Sequence, residues 1–156
     1  MKRKIWLAIF LGLIVFLFVL ANFKQTEKAK LIDNKENKEL IKLVKVIDGD
    51  TIKVKIGDKT ESVRLIGIDA PEMEEESNKK AIESKKYLED LLLNKKIRLE
   101  ADETQNDRDI YNRLLRYIFL EDGTFINKKM IEANMANEYT YKVPYKYQVE
   151  FKKISN

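Results

Sequence analysis

The chain has 156 residues, 36% of them charged, with 30 basic and 26 acidic side chains and a formal net charge of +4. It contains no cysteine and no histidine. That excludes disulfides, zinc–thiolate sites and thiol nucleophiles, and leaves carboxylates, lysines, tyrosines or a metal-bound hydroxide as the available general bases. Lys2, Arg3 and Lys4 sit in a segment without acids, and without them the balance is 27 basic to 26 acidic residues. Overall basicity is therefore no argument for nucleic-acid binding, and any such surface must be a local patch.

The basic Met1–Lys4 leads into an uncharged run from Ile5 to Ala21, about 26 Å long as a helix and at the short end of what spans a bilayer. Val19-Leu20-Ala21 offers small residues where a signal peptidase reads, so cleavage after Ala21 fits. The length of the run fits an uncleaved anchor equally. In both cases the basic flank stays cytoplasmic and the rest faces outward, which predicts a secreted protein or one held on the outer face of the membrane. Residues 22–38 are a polar Lys/Glu-rich spacer without periodicity. Residues 39–156 then supply enough chain for one domain with one core.

Within that domain, Val44–Ile47 is a short β-like run. Thr51–Ile56 alternates with period two, as a strand with one wet face does. Gly57-Asp58 supplies a turn and Ser62–Ile68 the return strand, making an antiparallel meander. Ser77–Leu93 reads as a helix capped by Ser77, with Glu74, Glu75 and Glu76 at its positive end. Ala81, Ser84, Leu88, Leu91 and Leu92 form its apolar side. Ile97–Ala101 and Arg113–Leu120 read as strands, with a hairpin-type turn at Asp122-Gly123. Ile126–Met135 is a short helix, and Tyr145–Ser155 begins another. This order predicts an α+β, mainly β, domain: a five-stranded Greek-key barrel of the oligonucleotide/oligosaccharide-binding (OB) type, with two to three helices and a hydrophobic helix before it.

Chemistry concentrates at the strand ends. Asp50 precedes Thr51–Ile56, and Asp69-Ala70-Pro71-Glu72 closes Ser62–Ile68, which carries Arg64. Convergent carboxylates such as Asp50 and Asp69 suit a hard divalent cation, Ca²⁺ or Mg²⁺. Glu72, across a proline-bearing turn, is placed to orient an attacking water. Arg64 and Arg113 are bidentate phosphate donors. Each feature alone has an ordinary reading, since Asp and Gly dominate turns and arginines commonly lie along surfaces. The joint pattern points to metal-assisted phosphodiester hydrolysis.

Three stretches carry a resemblance: Val46–Val54 (VIDGDTIKV), Val63–Glu72 (VRLIGIDAPE) and Asp109–Tyr117 (DIYNRLLRY). They resemble the thermonuclease, or staphylococcal-nuclease-like, family over roughly residues 40 to 150. The resemblance implies an OB-fold, Ca²⁺-dependent endonuclease that hydrolyses DNA and RNA, single strands favoured, with little sequence preference, leaving 3′-phosphorylated products. It implies Asp50 and Asp69 as calcium carboxylates and the main-chain carbonyl of Ala70 as a further ligand. It implies Arg64 and Arg113 as catalytic arginines, Glu72 as general base, and Tyr111 beside the nucleotide phosphate. Tyr139 and Tyr141 are candidates to flank the base. A monomer with no protein partner is expected, with membrane contact through the N-terminal segment if that stays uncleaved. The chain departs from the family pattern at Asn112, where a glycine is usual, at Ile110, where a lysine is frequent, and in a final helix that reads as short. The last two motivate an alternative, a non-catalytic module that binds single-stranded nucleic acid.

Overall fold

The structure, a computed structural model, describes residues 16–25, 40–72 and 79–155. Most of the Ile5–Ala21 leader, most of the spacer and the Ser77 cap with Glu74–Glu76 lie outside the described residues. Two compact units are present, Met1–Lys35 and Glu36–Asn156. In the first, residues 16–25 form a helix, α1, that exposes Phe16, Phe18 and Val19. Among the described residues no helix is long and apolar enough to cross a membrane.

The second unit is the expected barrel. Its strands are β1 (Ile41–Val46), β2 (Thr51–Ile56), β3 (Lys59–Leu65), β5 (Lys96–Glu100) and β6 (Leu114–Leu120), closed in the order β1-β2-β3-β6-β5. All neighbours pair antiparallel except β3 and β6, which run parallel. The alternation seen in the sequence decides the faces. Ile52 and Val54 of β2, Val63 and Leu65 of β3, Ile97 and Leu99 of β5 and Ile118 of β6 point inward and are fully buried. Helix α2 (Lys79–Leu92) buries Ala81, Ser84, Leu88 and Leu92, the expected side, with Leu91 half-buried. Helix α3 (Ile126–Glu132) buries Ile126 and Met130, and α4 (Gln148–Ser155) buries Phe151.

Two expectations are corrected. The first strand begins at Ile41, three residues earlier than expected, because a register shift between Leu43 and Lys45 lets it continue past exposed Val44. The expected strand Ser62–Ile68 is two elements. β3 ends at Leu65, and Gly67 then takes a left-handed conformation (φ 79°) that a side chain would resist. A Cβ there would also lie 2.6 Å from the Tyr145 ring. After this turn, β4 (Ile68–Asp69) leaves the barrel and pairs with β7 (Asn137–Glu138) in a separate two-stranded sheet.

Polar ties hold the ends of the barrel to its helices. Buried Asn127 of α3 donates to the Ile66 carbonyl and accepts from the Ile118 amide, each at 2.9 Å. Asp102, also buried, accepts from the Tyr117 hydroxyl at 2.6 Å, the Lys146 amide at 2.8 Å and the Thr104 amide and hydroxyl. These bonds anchor the segment leading into α4, whose Phe151 packs on Phe125, Tyr145 and Tyr147. Burial raises the Asp102 pKa, but its four donors outweigh that and hold it below the ordinary carboxylate value.

Asp102 therefore contributes stability at neutral pH that disappears as acid protonates it. Asp102→Asn should lower the unfolding free energy by about 2 kcal/mol near pH 7. The deficit relative to wild type should persist down to about pH 4 and shrink below it, as the folded carboxylate titrates. Urea denaturation at a series of pH values measures this.

Candidate active site

The β2–β3 register sets Thr51 directly opposite Arg64, and the parallel β3–β6 pair sets Arg64 beside Leu115. The turn before β2, the end of β3 and the loop before β6 consequently meet at one edge of the barrel. The turn packs closely on α2: a Cβ on Gly49 would overlap Ser84 Oγ and stand 2.6 Å from the Ala70 Cβ. Only glycine fits there, and its absent side chain lets Asp50 reach the Ala70 amide just past the end of β4.

Arg64 is the hub. Its Nε lies 3.2 Å from Asp50 Oδ1 and its Nη2 lies 2.8 Å from Asp69 Oδ1. Its Nη1 donates to the carbonyls of Leu65 and Ile68, both at 2.8 Å. One guanidinium thus spans both carboxylates and the turn that separates β3 from β4. Asp50 is 5% exposed; its Oδ2 accepts the Ala70 amide at 2.7 Å and its Oδ1 the Thr51 hydroxyl at 3.0 Å. Burial pushes the Asp50 carboxyl up to about 6, against the opposing pull of Arg64, the Ala70 amide and the Thr51 hydroxyl, with nearby Asp48 adding to the rise. Asp69 is exposed.

The second arginine joins through Thr51. Arg113 Nη1 lies 3.4 Å from Thr51 Oγ1, while its Nε donates to Asp109 Oδ2 at 2.6 Å. Asp109 Oδ1 also accepts the amides of Tyr111 and Arg113, each at 2.9 Å. These bonds organise a tight loop in which Asn112 adopts φ 64°. Asn is among the few non-glycine residues that tolerate this conformation, so the departure from glycine is accommodated. Tyr111 is 74% exposed, and the Arg113 guanidinium carbon lies 5.4 Å from its ring centre.

Asp50, Asp69, Ala70, Arg64, Arg113 and Tyr111 accordingly form one connected cluster. Glu72 is exposed, two residues beyond Ala70, at the edge of the described chain. Tyr139 and Tyr141 stand beside the small sheet: Tyr139 follows β7, donates its amide to the Gly67 carbonyl at 3.0 Å, and its ring stacks 6.4 Å from that of Tyr141. The structure adds two residues to the expected set. Thr51 offers the hydroxyl that both halves share, and Asp109 aims Arg113. Their signals in the sequence were the position of Thr51 beside Asp50 and the four-residue spacing from Asp109 to Arg113.

The donors suit a hard cation: carboxylate oxygens, one of them buried, in a chain with no histidine or cysteine to favour a softer metal. Among the described residues no group of three or more acidic side chains forms a metal cage. A cation here would rest on the pair Asp50 and Asp69, completed by main-chain or water oxygen.

A five-stranded OB-type barrel bearing a bridged carboxylate pair and two arginines at one edge defines the class of protein. A family model described as staphylococcal nuclease homologue matches residues 62–156, and the chain belongs to that family. It is 36% identical over 115 residues to a thermonuclease of Staphylococcus hyicus, covering 72% of this chain and 66% of that protein. It is 31% identical over 137 residues to endonuclease YncB of Bacillus subtilis, covering 83% of this chain and 64% of the relative. A thermonuclease of Staphylococcus intermedius is 31% identical over 142 residues, 89% of this chain and 82% of that protein. The chain thus spans just under two thirds of the length of the first two relatives.

The left-handed geometry at Asn112 can be measured. Asn112→Gly should leave stability within a few tenths of a kcal/mol, whereas Asn112→Ala should lower it by about 1 kcal/mol. Chemical denaturation of the two variants checks both values.

Proposed function

We propose that this protein is a nuclease: a Ca²⁺-dependent phosphodiesterase that hydrolyses DNA and RNA, single strands favoured, and leaves 3′-phosphorylated products. The observation that carries the reading is the Arg64 bridge between Asp50 and Asp69, linked through Thr51 to Arg113. It joins cation ligands and phosphate donors in one cluster. Membership of a family whose named relatives include thermonucleases and an endonuclease supports it.

In this reading Asp50, Asp69 and the Ala70 carbonyl hold the calcium ion, which supplies Lewis-acid neutralisation of phosphoryl charge when bound. Arg64 and Arg113 donate to the non-bridging phosphoryl oxygens, where charge grows as water adds to phosphorus. Their forks are aimed in advance by Asp50, Asp69 and Asp109, which reduces the reorganisation needed on binding. Glu72 takes the proton of the attacking water, a role left to a carboxylate in a chain without histidine. The P–O bond to the 5′-oxygen breaks, that oxygen leaves and takes a proton from solvent, and the phosphate stays on the 3′-oxygen of the other fragment. Tyr111 borders the phosphate, and Tyr139 and Tyr141 offer faces for bases.

The exposed, stacked pair Tyr139 and Tyr141 favours a second reading, a single-strand-binding barrel without turnover. The N-terminal sequence supports export, with the domain secreted or displayed on the outer face of the membrane as a monomer.

Incubating the folded protein with single-stranded DNA in Ca²⁺, with and without chelator, separates the readings. Cleavage should require the cation and yield 3′-phosphate ends. Arg64→Ala and Arg113→Ala should each reduce kcat by on the order of 10²–10³, and Asp50→Ala should weaken the response to Ca²⁺. Binding without cleavage would establish the second reading, and cleavage indifferent to both Arg64→Ala and Asp50→Ala would remove the first.

A further inference from the structure

The register of the barrel sets lysines directly against lysines. Lys42 of β1 faces Lys55 of β2 and also Lys96 of β5, and Lys45 faces Lys53. Like charges in opposed positions disfavour strand pairing. Among the described residues none of these five lysines forms an ion pair, although lysines elsewhere pair with Glu83, Asp90, Glu132, Glu150 and Glu100.

A bulge creates the arrangement. Lys42 and Lys45 are three residues apart and would point to opposite faces of a regular strand. The register shift between Leu43 and Lys45 turns both outward, against Lys55 and Lys53, which are two apart on β2. Ile41 and Val46 at the strand ends stay buried, so the core loses nothing by it.

The outward row of β2 reads Thr51, Lys53, Lys55, and its partners on β3 are Arg64, Ser62 and Thr60. The lysines therefore continue the line that starts at Thr51 and Arg64 in the acid–arginine cluster. Lys53 and Lys45 stand one step of about 7 Å along it, and Lys55, Lys42 and Lys96 one step further. At the far end, Lys95 and Lys96 share a cleft with Glu121 and Asp122, which closes the basic line.

We propose that this outer face of β1 and β2 is a binding track for the backbone of single-stranded nucleic acid, entering or leaving the cluster around Arg64. The row spacing is close to the phosphodiester repeat of an extended strand, so each lysine row meets one phosphate. Its flanks on β3 are hydroxyls, Thr60 and Ser62, as a polar backbone requires, not the apolar side chains that would sink into a lipid surface. The direction of the track rests on the nuclease reading, while the binding itself does not need turnover.

The test is anisotropy of a fluorescent single-stranded oligonucleotide with the full chain, in chelator, titrated with salt. Replacing Lys42, Lys45, Lys53 and Lys55 together by Gln should weaken binding at least tenfold and make the slope of log K against log salt shallower by about 3. A charge-matched control, with Lys79, Lys80, Lys85 and Lys86 of α2 changed to Gln, should keep the wild-type slope. Equal losses in both variants would reduce the effect to net charge and overturn the proposal, as would an unchanged slope in the first. Loss of binding to phosphatidylglycerol vesicles with an unaltered oligonucleotide slope would assign the face to membranes and overturn it too. Binding is read without cation or cleavage, so an inactive protein with lysine-dependent binding would sink the nuclease reading and leave the track standing. Active cleavage with lysine-independent binding would do the reverse.

Discussion

The Arg64 guanidinium lies between two carboxylates that would otherwise repel each other, and the site depends on that placement. Asp50 is almost wholly buried beside Asp48, and Asp69 approaches it from another sheet. Asp50 has also lost most of its hydration. Arg64 offsets part of both costs, with burial still raising the Asp50 carboxyl, and its remaining donors hold the carbonyls of Leu65 and Ile68. The same side chain therefore fixes the charge balance of the cluster and the turn at which the chain leaves the barrel.

The barrel makes this possible by bringing together pieces remote in sequence. The parallel β3–β6 pair is what sets the loop of Asp109 and Arg113 beside Thr51 and Arg64. Gly49 lets the acidic turn nestle on Ser84 of α2, and Asn127 ties Ile66, next to the Gly67 turn, to Ile118 of β6. Elsewhere in the unit, Asp102 and the ring cluster around Phe151 hold α4 down. Rigid strands thus carry Arg64 and Thr51, while Arg113 and Tyr111 ride on a loop whose shape is set by one carboxylate.

The balance of charge is local. Basic and acidic residues nearly cancel beyond the first few residues, yet lysines gather in two rows on the outer face of β1 and β2. The bulge near Val44 is responsible for that concentration, since it changes which side of the sheet Lys45 faces. Composition could not reveal such a surface, because net charge is blind to the side of a strand on which a residue points.

Much of this was legible in the sequence. Period-two alternation marked Thr51–Ile56 and its inward residues, and the apolar side of α2 followed from its spacing. The motif positions marked Asp50, Arg64, Asp69 and Arg113, because strand ends and turn residues are local features. Local features also left room for error. No charge interrupts Leu65-Ile66-Gly67-Ile68, so Ser62–Ile68 read as one strand, and two-residue strands such as β4 and β7 carry no period to detect. What only the folded chain decided was partnership: Arg64 with both carboxylates, Thr51 with both arginines, Lys42 with Lys55. Side-chain periodicity is written within each segment, whereas register and the turn at Gly67 arise when segments pack, and it is packing that turns separate charges into one site.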